Sequence, residues 1–250
     1  MHDDGSVRLF SVLWNRYPSS FAKGFLGGGD ATPANASDKL REFWSQVPES
    51  DPRKRMLAEK LMEREDIESE ADIWGRAIPT SLHGDAFPLS RTSFDAVSRA
   101  SYLQEIGLPT LDSKVLISGI LKRCKAPETE EVFWTIVTWP LMSLLEGIWP
   151  LLEWNGEEFE AGSEMAARAG TQLANGLFCV LWVIKADMEW LANGLHLPHY
   201  GAKCMCPWCR ANCNEDDSDD WYRAWNHPVA PWNDLAETAE WRRYPFFIWS

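Results

Sequence analysis

Leu177-Phe-Cys-Val-Leu-Trp-Val-Ile-Lys-Ala-Asp187 is the stretch on which the fold turns. Residues 177–184 are apolar without a break, shorter than any membrane span and rich in β-branched and aromatic types, which predicts a strand buried on both faces. Asp187 closes the run and stands where it can cap a helix from Met188 to about Leu195. Such a strand needs partners in a sheet, and the chain supplies three candidates upstream. Ile78-Pro-Thr-Ser-Leu-His-Gly-Asp85 reads as a strand ending in a Gly-Asp turn. A weaker strand is expected around Arg99 to Ile106 and a stronger one from Ser113 to Lys122. Short connections between the three predict an antiparallel meander.

Between the meander and the buried strand, Thr129 to about Trp149 carries Val132, Phe133, Ile136, Val137, Trp139, Leu141, Leu144, Leu145 and Ile148. That broad apolar face predicts a helix packed on the sheet, kinked or split at Pro140. Trp154-Asn-Gly-Glu157 signals a turn, and Ser163 to about Leu173 a short Ala-rich helix. Toward the N-terminus, Ser37 to about Val47 and Asp51 to about Glu70 read as helices, the second with Asp51 as N-cap and Pro52 at the first helical position. The Gly-Gly-Gly run at 27–29 and the Ala/Pro/Asn/Ser stretch after it predict a flexible leader over 1–36. The expected organisation is therefore a leader (1–36), a helical segment (37–72), an α/β core (73–195) and a Cys/His-containing segment (196–250). The apolar close Phe246-Phe-Ile-Trp-Ser250 predicts that this last part is incomplete.

Two aspartates stand where the first and fourth strands are expected to end, Asp85 and Asp187. Carboxylates at adjacent strand ends can hold the pair of divalent ions, about 3.5–4 Å apart, that phosphodiester chemistry uses. Mg2+, or Mn2+ in its place, suits such oxygen ligands. Two plainer roles stay open beside this one: Gly84-Asp85 as a turn and Asp187 as an N-cap. A third acid is required, with Asp234, Glu237 and Glu240 as candidates that spacing does not separate.

Six cysteines occur, and four of them, Cys204, Cys206, Cys209 and Cys213, crowd into one short segment after His196 and His199. That clustering does not suit an extracellular disulfide framework. Cys206-Pro-Trp-Cys209 has the spacing at which two thiolates share a tetrahedral Zn2+, with His199 and Cys213 as the next choices and His227 farther on. A redox pair is the alternative, although an acidic loop follows where a thioredoxin-like helix would be expected. His83 and His196 are weaker candidates, and Cys124 and Cys179 read as buried small hydrophobes.

The 45 % hydrophobic content and 15 tryptophans exclude wholesale disorder. The N-terminus lacks the basic and apolar regions of a secretory signal, no apolar run reaches membrane-spanning length, and a soluble, intracellular protein is expected. A formal net charge of −13 argues against strong nonspecific DNA binding, because that affinity comes from Lys and Arg neutralising phosphates. Most of the tryptophans are expected in packing rather than as stacking faces for unpaired bases.

Three strands, a helix and a fourth, buried strand beside the first is the order of the RNase H-like fold, here with N-terminal helices and a C-terminal zinc-knuckle-like segment. The motifs His83-Gly-Asp85, Phe133-Trp134 to Trp149-Pro150, Val183-Ile-Lys-Ala-Asp187, Leu197-Pro-His-Tyr200, Cys206-Pro-Trp-Cys209 and Pro231-Trp-Asn-Asp234 together resemble transposase-like proteins of unicellular algae. Those in turn are similar to DDE-type cut-and-paste transposases with a Cys/His motif after the second catalytic aspartate. The resemblance spans about Ile73 to Arg243. It implies a nuclear, metal-dependent DNA strand-transfer or endonuclease domain, with Asp85 and Asp187 as the first two acids and Cys206 and Cys209 in the zinc motif. The chain departs from the pattern in having no recognisable terminal glutamate region and no basic region before the core. A catalytically dead, zinc-stabilised interaction domain is therefore the second reading, and an unrelated α/β enzyme with an enclosed small-molecule pocket the third.

Overall fold

The structure, a computed structural model, describes residues 5–27, 32–88, 96–104, 115–121, 126–195 and 197. The chain divides into two compact units, Met1–Lys185 and Ala186–Ser250. The first holds a four-stranded sheet with strands β1 (Ala77–Pro88), β2 (Ala96–Gln104), β3 (Val115–Leu121) and β4 (Phe178–Lys185) in the order β3-β2-β1-β4. β1 pairs antiparallel with β2 from Thr80↔Gln104 to Pro88↔Ala96, and β2 pairs antiparallel with β3. β4 runs parallel to β1 from Ala77↔Phe178 to His83↔Lys185. The meander and the adjacency of the first and fourth strands are thus as the sequence predicts, and the fold is mixed α/β.

β1 is the central strand. Ala77, Ile78, Thr80, Ser81 and Leu82 are buried, and the Thr80 hydroxyl donates to the carbonyl of Val180 at 3.0 Å, so its polar atom is matched inside the sheet. β4 departs from its expectation. Phe178, Cys179 and Val180 are buried, but residues 181–184 are only half-buried. The reason is its place at the edge of the sheet, where among the described strands one flank has no neighbour. The β1–β4 register also shifts between Thr80 and Ser81, whose partners Leu181 and Val183 leave Trp182 as the extra residue.

Within 1–36, where a flexible leader is expected, the described residues are largely helical. Helices α1 (Gly5–Arg16) and α2 (Pro18–Phe25) form there, and α1 packs on α2. Val7, Phe10, Phe21 and Leu26 are buried, and Phe10 meets Phe21 and Phe25 edge-on, each at 5.0 Å between ring centres. Val7, Phe10, Phe21 and Leu26 stand before the Gly run, and their burial holds this part of the chain in two packed helices.

α3 (Ala36–Gln46) and α4 (Pro52–Leu61) appear close to expectation, with Asp51 capping α4 by accepting from the amide of Arg53 at 2.9 Å. α4 stops at Leu61 rather than Glu70. Arg64 there turns away to hydrogen-bond the carbonyls of Leu145 and Glu146, the last residues of α6 (Thr129–Glu146), and a separate helix α5 (Glu70–Arg76) begins under a Ser69 cap. Pro140 does not split α6: the helix runs through it as one element, burying Phe133, Val137 and Leu144 at helical spacing and packing on β4. The turn at 154–157 forms as predicted, with Gly156 at φ 83° and Asn155 Oδ1 accepting from the Glu157 amide. α7 is shorter than expected, Glu164–Arg168, capped by Ser163. In the second unit the described element is α8 (Met188–Gly194). No helix among the described residues is long and apolar enough to cross a membrane.

Candidate functional site

The parallel pair β1–β4 carries the residues from which a site can be built. Its last register pair is His83 and Lys185, and Asp85 follows His83 by two residues along β1. Asp85 does not lie on the Gly-Asp turn expected of it. The ladder with β2 continues through Gly84↔Ala100 and Asp85↔Arg99 to Pro88↔Ala96, so Asp85 is an interior residue of a strand. Pairing along β2 satisfies the backbone groups that a turn would have left to solvent, which explains why a Gly-Asp dipeptide stays extended here. The Asp85 carboxylate lies outside the described part of the structure.

Asp187 belongs to the second unit and caps α8. Its backbone is extended (φ −72°, ψ 165°), and its Oδ1 accepts from the Trp190 amide at 2.6 Å. The plainer role foreseen for it is therefore realised, and this oxygen is engaged. Trp190 itself is buried, so the cap anchors the first turn of α8 above an aromatic side chain that packs inward.

His199, Cys206, Cys209 and Cys213 lie outside the described residues, as do Cys204, His196, His227, Cys124 and the acids Asp234, Glu237 and Glu240. Among the described residues no group of three or more His, Cys, Asp or Glu stands close enough to hold a metal ion. Cys179 is buried in β4, and desolvation pushes its thiol far above the ordinary cysteine range, which keeps it protonated and unreactive. His83 is half-buried at the end of the β1–β4 ladder.

The residues that hold β4 in place were not apparent as a set in the sequence. Arg64 and Arg76 both pair with Asp66, Arg64 through Nε and Nη2 at 2.9 Å each and Arg76 through Nη2. Both guanidinium groups also lie over the Phe178 ring, at 4.6 and 5.6 Å from its centre. Arg76 further donates to the Gly176 carbonyl at 2.8 Å, just before β4. The Arg64 hydrogen bond, with Arg76 beside it, holds the Asp66 carboxyl at about 2 against an ordinary 3.8, although partial burial works the other way. One carboxylate thus ties the α4–α5 connection to the end of α6 and the start of β4. Nearer the middle of β4, Arg53 stacks on Trp182 at 4.3 Å, and Trp44 meets both Trp74 and Trp182. Lys54 is buried with its Nζ donating to the carbonyls of Trp44 and Val47 and to Glu49. The only sequence signal for these links is the Arg/Lys content of 53–76; their partners are up to 100 residues away.

Compared with models of known families, with curated proteins and with solved structures, the chain finds no match.

Proposed function

We propose that the chain is a transposase-derived domain of the RNase H-like class, built for metal-dependent DNA cleavage or strand transfer. The observation that carries this reading is the sheet itself. Three antiparallel strands in meander order precede a helix and a fourth strand that lies parallel beside the first, giving β3-β2-β1-β4. His83 and Lys185 are register partners, and in sequence Asp85 and Asp187 each follow by two residues. The two carboxylates offer hard oxygen ligands of the kind Mg2+ or Mn2+ accepts. Bound there, such ions would lower the barrier to attack on the phosphodiester and stabilise the departing oxygen. The chain's own part is to hold the carboxylates and, through a late acid among Asp234, Glu237 and Glu240, to complete the set. Cys206 and Cys209, with His199 and Cys213, are the proposed Zn2+ ligands that order the segment after α8. Action on genomic DNA makes the proposed location nuclear.

The test is conversion of supercoiled plasmid to nicked circle in Mg2+ or Mn2+, with Asp85→Asn and Asp187→Asn alongside. Metal-dependent nicking by the parent chain that both variants lose supports the proposal. Nicking that either variant retains removes that residue from the chemistry.

A second reading is a catalytically dead, zinc-stabilised interaction domain of a domesticated element. Two observations favour it: the net charge of −13, which repels a polyanion, and the commitment of Asp187 Oδ1 to the α8 cap. Its mark is bound Zn2+ in a protein that shows neither nicking nor saturable Mg2+ binding.

A further inference from the structure

The outward side of α6 and the loop after it carry apolar side chains that are exposed or half-buried. Along the helix, Val132, Trp139 and Met142 recur on one stripe, opposite the buried stripe of Phe133, Val137 and Leu144. Val132 is 42 % exposed and Met142 41 %. The loop continues this surface with Leu151, 65 % exposed, and Leu152, 44 % exposed. It is held there in a fixed shape: the Trp139 indole N–H donates to the Leu152 carbonyl at 2.9 Å, and Glu153 and Glu157 are joined by a backbone hydrogen bond of 2.8 Å across the Gly156 turn. Isolated exposed leucines are ordinary, but a stripe and a loop joined in this way make a patch.

The charges along this part of the chain have one sign: every charged residue from Glu128 to Glu160 is acidic. Glu146, at the end of α6, and Glu157, Glu158 and Glu160, in the loop, are all exposed. Among the described residues Glu157, Glu158 and Glu160 form no ion pair. The nearest basic side chain in sequence, Arg168, is engaged by Glu164 at 2.6 Å and lies over Trp149. A second copy of the chain is a poor occupant, since a symmetric contact would bring one acidic stretch against the other.

We infer that the outer stripe of α6 and the 151–160 loop form a docking surface for a basic, amphipathic segment of a partner protein. Its apolar side chains would cover Trp139, Met142, Leu151 and Leu152 while Lys or Arg beside them meet the glutamates. This mode is an amphipathic helix on an apolar strip with charges that set orientation and on-rate. The preformed loop keeps the ordering cost of binding low. The inference rests on this surface alone and is independent of the acidic pair.

The experiment uses the full chain and a short helical peptide of leucine and lysine at amphipathic spacing, with its leucine and glutamate counterpart as control. Binding is read by fluorescence anisotropy of labelled peptide, and its location by hydrogen exchange. The expected result is binding of the basic peptide alone, with new protection over 139–160. It should weaken about tenfold or more in Leu151→Ser/Leu152→Ser and again in Glu157→Gln/Glu158→Gln. All four side chains are exposed, so circular dichroism of the variants should match the parent. Equal binding by parent and variants, or by both peptides, overturns the inference. A dimer in sedimentation that Leu151→Ser/Leu152→Ser dissolves also overturns it, by making a second copy the occupant.

Discussion

A β-carbon on Gly147 would stand 3.0 Å from the carbonyl oxygen of Leu177, so the end of α6 and the start of β4 approach as closely as a bare backbone permits. Gly147 also has φ 69°, and the amides of Gly147 and Ile148 both return to the Ser143 carbonyl. Gly147→Ala meets both obstacles at once. It should lower unfolding free energy by about 1–3 kcal/mol in urea, with the m-value unchanged. An unchanged midpoint would mean that the α6–β4 junction is looser than described.

Asp66 is held at about 2 by Arg64 and Arg76, below its ordinary 3.8. Because the folded state lowers the carboxyl, its contribution is fully present above about pH 4 and is lost as pH falls through about 2. The side chain is 48 % exposed, so solvent screening reduces the expected contribution to about 1 kcal/mol. Asp66→Asn should therefore destabilise by about that amount near neutral pH and converge with the parent in strong acid. Denaturant titrations at the two pH values measure the difference.

Asp187 allows its two roles to be separated. Asn caps a helix about as well as Asp, so Asp187→Asn should leave α8 and its protection from hydrogen exchange intact while removing the charge that metal binding needs. Asp187→Ala should cost about 1 kcal/mol of local stability in addition. If Asn and Ala variants lose α8 protection equally, the hydrogen bond to the Trp190 amide is not what holds the helix start.

The cysteines are expected to divide into two classes. Metal analysis of the purified chain should find Zn2+, lost in Cys206→Ser and in Cys209→Ser. Cys179, buried and protonated, should resist thiol reagents until the chain unfolds. Zinc content that survives both serine variants would remove the Cys-x-x-Cys pair from the ligand set.

Local signals in the sequence hold where one short segment decides the outcome. The apolar run at 177–184 became β4, Asp51-Pro52 began α4, Asn155-Gly156 made its turn, and Asp187 capped α8. A cap, a turn and a continuous apolar run depend on atoms a few residues apart, so their residue types carry the answer. The metal-site candidates are of another kind: Asp85, Asp187 and the Cys/His cluster are grouped by the order of motifs along the chain, not by a local backbone signal.

Other outcomes depended on partners far along the chain. Gly84-Asp85 carries a turn signature, yet β2 pairs through it and keeps β1 extended to Pro88. The Gly-rich N-terminal region resembles a leader, yet Phe10 and Phe21 find each other and bury two helices. Helical pattern continues past Leu61, but Arg64 leaves it for the end of α6, and Asp66 collects Arg64 and Arg76 into a clasp on Phe178. In each case burial and long-range pairing outweigh a local preference of about 1 kcal/mol or less per residue. Sequence alone was therefore enough for the four strands and for α3, α4, α6, α7 and α8 in their order, whereas the N-terminal pair α1 and α2, the break that sets off α5, where strands and helices stop, and which charges meet were settled only when distant segments packed together.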